Sequence, residues 1–120
     1  MLTIGTNSCG AVQSVQMGVI YLESLLTQTN MAQNTDAYGG RRKRLLQDIN
    51  RKIDLFQGHC HMKMLQHPSA IDGNEKSPTY GMETNQDRIN WADLHNRCGE
   101  FIDEMSEYKL KQRENKCWIS

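Results

Sequence analysis

Apolar residues recur at spacings of three and four in three separate stretches of the chain. The first stretch, about residues 11–37, has a stripe that Ile20, Leu25 and Ala32 widen. Its main members are Val12, Val15, Val19, Leu22, Leu26 and Thr29. This spacing places the apolar side chains on one face of a helix, so the stretch is predicted to be helical.

The second stretch, about residues 41–66, has the spacing of a coiled-coil seam. Its apolar members are Leu46, Ile49, Ile53, Phe56 and Cys60. Gly39 and Gly40 separate it from the first stretch, and the two stripes are out of phase. We therefore expect a turn and a helical hairpin, with one continuous helix as the alternative. Pro68 ends the second helix at or before His67.

The third stretch, about residues 85–116, contains the longest seam: Trp91, Leu94, Cys98, Phe101, Met105 and Tyr108. The preceding residues 68–84 are rich in Pro, Gly, Ser, Asn and Asp, which is typical of a loop. Thr84, with Asp87 three residues later, resembles a helix cap. No stretch alternates long enough to require a sheet. The predicted fold is all-α: a helical hairpin plus a third returning helix, with coiled-coil-like seams.

Composition narrows the functional classes. The chain has 120 residues, which predicts a single domain over residues 11–120. Only 38% of the residues are apolar, so the core is expected to be small. A small core favours stabilisation by a partner. Residues 1–10 are polar and uncharged and are predicted to form a flexible leader. Fourteen basic residues balance fourteen acidic ones, so the basic excess of a nucleic-acid binder is missing despite the run Arg41–Arg44. No apolar run is long enough to span a membrane.

The apolar seams are the candidate partner-binding residues, together with an aromatic and aliphatic pair near the end of the chain. Trp118 and Ile119 lie beyond the third seam, which makes them docking candidates. The full candidate set is Val19, Leu22, Leu26, Trp91, Phe101, Met105, Tyr108, Trp118 and Ile119.

The residues suited to chemistry do not converge on a site. Cys60, Met64 and His67 share one helical face and are the candidate metal ligands, but no second ligand pair has suitable spacing. We therefore expect no metal and no cofactor. The four cysteines are widely spaced, and Cys60 and Cys98 are expected to be reduced core residues. No catalytic motif occurs, so the chain is predicted not to be an enzyme.

Three runs resemble a known family. They are Val19-Ile-Tyr-Leu-Glu-Ser-Leu-Leu, Gln28-Thr-Asn-Met-Ala-Gln, and Arg42-Lys-Arg-Leu-Leu-Gln-Asp-Ile-Asn-Arg-Lys-Ile-Asp. Across residues 15–57 the chain is similar to the first coiled-coil region of bacterial type III secretion tip, filament and translocator proteins. The chain departs from that family in being short, in its four cysteines and in Gly39-Gly40. The resemblance implies a secreted virulence component that assembles through helices.

The expected function is therefore non-enzymatic helical assembly, by self-association or with a protein partner. One alternative is a small cytosolic bacterial chaperone or adaptor that clamps a client helix. Another is a metal- or redox-responsive regulator that uses Cys60, His67 and a further cysteine.

Overall fold

The described part of the chain forms three α-helices and one short 3-10 helix. The structure is a computed structural model that describes residues 8–34 and 40–119, and the side chains of residues 10–34 and 41–105. The 3-10 helix is Ser8–Ala11, and α1, α2 and α3 are Val15–Gln33, Gly40–Gln66 and Gln86–Ile119. No strand occurs among the described residues, where a single isolated bridge joins Ile71 to Glu83. The predicted all-α fold is confirmed.

The first helix begins at Val15, four residues later than predicted. Ser14 has extended backbone angles, and its hydroxyl accepts a hydrogen bond from the Met17 amide at 3.2 Å. This side chain satisfies one of the free amides at the helix start, so the helix begins there. The predicted leader overlaps the 3-10 helix at residues 8–10, while residues 1–7 lie outside the described part of the chain.

The three helices run up, down and up. Gln13 near the start of the chain bonds to Lys63 late in α2, and Tyr21 packs edge-on against Phe56. Residues later in α1 therefore face residues earlier in α2. The two helices form an antiparallel hairpin and not one continuous helix. The predicted turn at Gly39 lies outside the described residues. The most extensive packing joins α2 to α3.

The core contains the two predicted seams of α2 and α3. All five members of the α2 seam are buried, from Leu46 to Cys60. In α3, Trp91, Leu94, Cys98 and Met105 are buried, whereas Phe101 is half-buried against the core. The side chain of Tyr108 is outside the described residues. Burial of each large apolar side chain contributes about 1.5–3 kcal/mol, so these two seams hold the bundle together.

The buried face of α1 differs from the predicted stripe. Its buried residues are Gly18, Tyr21, Leu22, Leu25, Thr29 and Ala32. Val19 and Leu26 are half-buried, and Ile20 is exposed. Leu22, Leu25, Thr29 and Ala32 are buried as predicted, but the stripe was displaced toward the valines and did not include Gly18 and Tyr21. A Cβ atom on Gly18 would lie 2.8 Å from Leu94 Cδ1 and 3.3 Å from Phe56 Cζ, so glycine lets both neighbours contact the α1 backbone.

The third helix begins at Gln86, one residue later than predicted, and Asn85 caps it. The Asn85 side-chain oxygen accepts from the Asp87 amide at 3.2 Å, which is the role predicted for Thr84. The Thr84 hydroxyl instead donates to the Ala70 carbonyl at 2.6 Å, across the loop. The loop between α2 and α3 is therefore tied to the start of α3.

Candidate partner-binding surface

The predicted partner-binding residues whose side chains the structure describes are all buried or half-buried. Leu22, Trp91 and Met105 are buried, so they offer no surface to a partner in this conformation. Val19, Leu26 and Phe101 are half-buried and pack against the core. The side chains of Tyr108, Trp118 and Ile119 lie outside the described residues. The three helices thus cover most of the predicted seams themselves.

A second stripe runs along the opposite side of α2 from the core. It consists of Leu55, Gly58, Met62 and Leu65, which are spaced by three, four and three residues, and we call it the outer stripe. With 3.6 residues per turn, it lies diametrically opposite the buried seam from Leu46 to Cys60. Its three large side chains are 52–59% exposed. The spacing of these residues is visible in the sequence, but the core seam on the opposite side of α2 has the same spacing and more large apolar residues.

The glycine in the outer stripe has no role within the described chain. A Cβ atom on Gly58 would meet nothing within 4 Å. Glycine in a helix interior costs roughly 1 kcal/mol relative to alanine, so Gly58 weakens α2 without any packing benefit inside the chain. The space above its Cα is open to a backbone or a large side chain from another molecule.

The loop after α2 is held together by the Glu83 carboxylate. One oxygen accepts from the Ser69 hydroxyl at 2.6 Å, and the other accepts from the Ala70 amide at 2.6 Å and the Thr84 amide at 3.0 Å. Arg88 Nε lies 3.4 Å from the first oxygen, and Arg88 also donates to the His67 carbonyl at 2.8 Å. These bonds close the loop at the point where α2 ends and α3 begins.

The same contacts change the acidity of Glu83. The Ser69 hydroxyl and then the Ala70 amide stabilise the charged carboxylate, and they lower the pKa of Glu83 from 4.5 to about 2. Partial desolvation opposes this shift, and the amides of Asn85 and Thr84 add to it. The carboxylate therefore remains charged, and able to hold the loop, far into the acid range.

A second carboxylate orders the tip of the loop. Asp72 accepts from the Thr79 hydroxyl at 2.6 Å and from the Asn74 amide at 2.9 Å. These bonds, with Ser77, lower the pKa of Asp72. The Asp72 carbonyl accepts from the amide of Gly81, whose positive φ of 81° favours glycine.

Three large apolar side chains project from this ordered loop. Ile71, Tyr80 and Met82 are all more than half exposed. A loop that is internally hydrogen-bonded and yet exposes apolar side chains offers a surface with little ordering entropy to lose on binding. It lies at the same end of the bundle as Met62 and Leu65, where α2 ends.

An open groove lies between α1 and α2 at the other end of the hairpin. Its lining combines apolar and charged side chains: Gln28, Met31, Ala32, Arg41, Leu45, Asp48 and Ile49. Ala32 and Ile49 are buried at its floor, while Met31 and Leu45 are exposed at its sides. The groove is shallow and mixed in character, so it is a weaker surface for a helix than the outer stripe.

The candidate metal ligands have different surroundings in the structure. Cys60 is buried next to Cys98, whereas the His67 ring nitrogen lies 4.0 Å from an Asp87 oxygen at the end of the loop. Met64 is half-buried beside the core. Within the described residues, no group of three or more His, Cys, Asp or Glu side chains is placed to hold a metal ion. Nothing in their described surroundings adds a third His, Cys, Asp or Glu ligand to Cys60 and His67.

Among the described helices, none has the length and apolar character needed to cross a membrane. No family model, curated protein or solved structure has significant similarity to the chain.

Proposed function

We propose that the chain is a non-enzymatic helical assembly protein that self-associates through the outer stripe of α2. The observation that carries this proposal is the unpaired stripe of Leu55, Gly58, Met62 and Leu65, with open space over Gly58. Its heptad spacing is that of a surface which packs against another helix. The partner we propose is the same stripe on a second copy, because a two-fold interface uses one self-complementary patch.

An antiparallel arrangement of two α2 helices makes the stripe self-complementary. In an antiparallel pair, an a position of one helix faces a d position of the other. Leu55 of one copy therefore meets Leu65 of the other. Met62 of one copy then lies over Gly58 of the other. A flexible methionine fills the space that a glycine leaves, which gives Gly58 the role it lacks within one chain.

The net charge of the chain does not oppose the association of two copies. Fourteen basic residues balance fourteen acidic ones, so the formal net charge is zero and no long-range repulsion keeps two copies apart.

The resemblance to secretion proteins adds a biological setting to the proposal. It covers residues 15–57, which include α1 and about two thirds of α2. We propose that the chain is a secreted component of a bacterial secretion system that assembles after export. The test is export of the full chain by a host with such a system, compared with a host whose secretion apparatus is inactive. Equal amounts outside both hosts would contradict this part of the proposal.

Sedimentation equilibrium on the pure chain tests the association. We expect a monomer–dimer equilibrium in the micromolar range, and Met62→Lys should shift it to monomer because a charge would be buried over the partner's Gly58. Met31→Lys is the matched control, since Met31 is also a methionine that is more than half exposed, on α1 at the side of the groove.

Each outcome of this experiment is informative. Loss of the dimer only in Met62→Lys, with both variants folded by circular dichroism, supports the outer stripe. Loss only in Met31→Lys would assign association to the groove and overturn the proposal. A monomer at every concentration would also overturn it and would favour the adaptor that clamps a client helix.

A further inference from the structure

Two cysteines face each other across the interface between α2 and α3. Cys60 and Cys98 are both 0% exposed, and neither is part of a disulfide. Their side chains are hydrogen-bonded to each other. The two sulfur atoms are thus neighbours although 37 residues separate them in the sequence, a count taken from positions 61 to 97.

The helices approach each other closely at this level of the bundle. Gln57, three residues before Cys60, donates to the His95 carbonyl at 3.4 Å. A Cβ atom on Gly99, next to Cys98, would lie 2.9 Å from the Gln57 amide nitrogen. The Gln57 side chain therefore packs against the α3 backbone beside Cys98, so α2 and α3 are in direct contact at the level of the two cysteines, and a disulfide requires such proximity.

The surroundings of Cys98 also favour its reactive form. The hydrogen bond from Cys60 lowers the pKa of the Cys98 thiol, and the nearby Arg97 charge lowers it further, whereas burial acts in the opposite direction. A thiolate is the nucleophile in cysteine oxidation, so Cys98 is the residue of the pair expected to react first.

We infer that Cys60 and Cys98 are a redox-sensitive pair, which a peroxide oxidises to a disulfide that joins α2 to α3. The inference is independent of the proposed self-association, because the pair lies in the core and the outer stripe on the opposite side of α2. A chain that moves from a reducing to an oxidising compartment would acquire this cross-link.

The reaction balances with hydrogen peroxide as the oxidant. The Cys98 thiolate attacks one peroxide oxygen, the O–O bond breaks, and the released hydroxide takes up the thiol proton to form water. The resulting sulfenic acid is attacked by the Cys60 sulfur, which forms the S–S bond. The second hydroxide leaves with the Cys60 proton as another water. Two thiols lose two electrons and two protons, and one peroxide becomes two waters.

The cross-link is expected to raise the melting temperature. It closes a chain segment that contains the whole loop between α2 and α3, and so restricts the unfolded state. For a segment and a domain of this size the expected increase is on the order of 10 °C. Because the helices already meet at this level, the disulfide should require only a local adjustment.

The test uses the full chain with Cys9→Ser and Cys117→Ser, so that only this pair can react. Hydrogen peroxide should remove two hydrogen atoms from the intact mass. Peptide mapping should find Cys60 joined to Cys98, and a phosphine reductant should reverse the linkage and the gain in melting temperature.

Two further variants in the same background keep the test decisive. In Cys60→Ser, Cys98 should remain as a sulfenic acid that dimedone traps, while Cys98→Ala should leave Cys60 unlabelled. Circular dichroism of both variants before oxidation shows whether each is folded. If the folded parent keeps both thiols, or forms sulfinic acid without a linkage, the pair consists of inert core residues and the inference is wrong.

Discussion

Two stripes with the same spacing run along opposite sides of α2, and they differ in burial. The inner stripe, from Leu46 to Cys60, is buried by α1 and α3. The outer stripe, Leu55 to Leu65, has no covering element among the described residues and remains more than half exposed at its large side chains. The comparison shows that heptad spacing predicts a surface for helix packing without saying which helix will occupy it.

The residue types on the two stripes also differ. The inner stripe has Ile49, Ile53 and Phe56, whose stiff or bulky side chains define one packing arrangement. The outer stripe has Gly58 and Met62, which leave space and adapt to it. This contrast fits a core that is fixed within one chain and a surface that is completed by a second molecule.

The largest expected effect comes from truncating the inner stripe. Phe56 is fully buried and packs edge-on against Tyr21, with ring centroids 4.9 Å apart. Phe56→Ala should lower the free energy of unfolding by about 3–5 kcal/mol in urea denaturation. The adjacent Leu55→Ala, on the outer stripe, should cost the dilute monomer less than about 0.5 kcal/mol. Equal losses in the two variants would abolish the distinction between the stripes.

The same pair of variants should behave in the opposite order for association. Leu55→Ala should weaken the dimer roughly tenfold or more, since each copy loses one apolar contact with Leu65 of the other. Isothermal dilution calorimetry measures this dissociation constant. An unchanged constant in a folded Leu55→Ala protein would show that the contact does not exist.

Gly18 and Gly58 provide a comparison with smaller expected effects. Gly18→Ala should destabilise the fold by about 1 kcal/mol, because overpacking against Leu94 and Phe56 exceeds the gain in helix propensity. Gly58→Ala should stabilise the dilute monomer by about 1 kcal/mol, because its Cβ meets nothing. Thermal unfolding at low concentration measures both changes.

Gly58→Ala also separates the stability of the fold from association. If Met62 of a second copy packs over Gly58, the added methyl group should weaken the dimer while it stabilises the monomer. A variant that stabilises both would place the interface elsewhere.

The smallest effect concerns the loop beside the outer stripe. The pKa of Glu83 is depressed in the folded chain, so its contribution to stability is fully present above pH 4.5 and is lost as the pH falls through about 2. The Ala70 and Thr84 amide signals in NMR spectra should therefore shift with a midpoint near pH 2. Glu83→Gln should remove that transition, and a midpoint near 4.5 would contradict the hydrogen-bond network.

Much of the fold could be predicted from the sequence because the buried seams of α2 and α3 are regular and rich in large apolar residues. The helix ends also followed from Pro68 and from polar capping residues, to within a few positions. The face of α1 was predicted only in part. Gly18 lies in the contact because it lets Leu94 and Phe56 approach the α1 backbone, and a pattern of hydrophobic residues does not indicate such a role. The order of the loop depends on contacts of Glu83 with Ser69 and Arg88, which only the folded chain brings together.

The candidate surface was harder to predict than the core. Leu55, Met62 and Leu65 have helical spacing in the sequence, but so do the residues of the inner stripe. Only the packed helices show which of the two stripes remains exposed. The partner-binding role of Leu22, Trp91 and Met105 was inferred from the same spacing, and the structure places them in the core. Spacing alone does not distinguish an internal seam from an external one.

Relaxation of methionine methyl groups by a soluble paramagnetic agent tests the central claim most directly. In dilute solution the exposed Met62 methyl should relax strongly, while the buried Met105 methyl should be protected. At concentrations where the mass doubles, Met62 should become protected as well, and Met31 should not change. If Met62 remains equally accessible in the dimer, the outer stripe of α2 is not the surface through which the chain assembles.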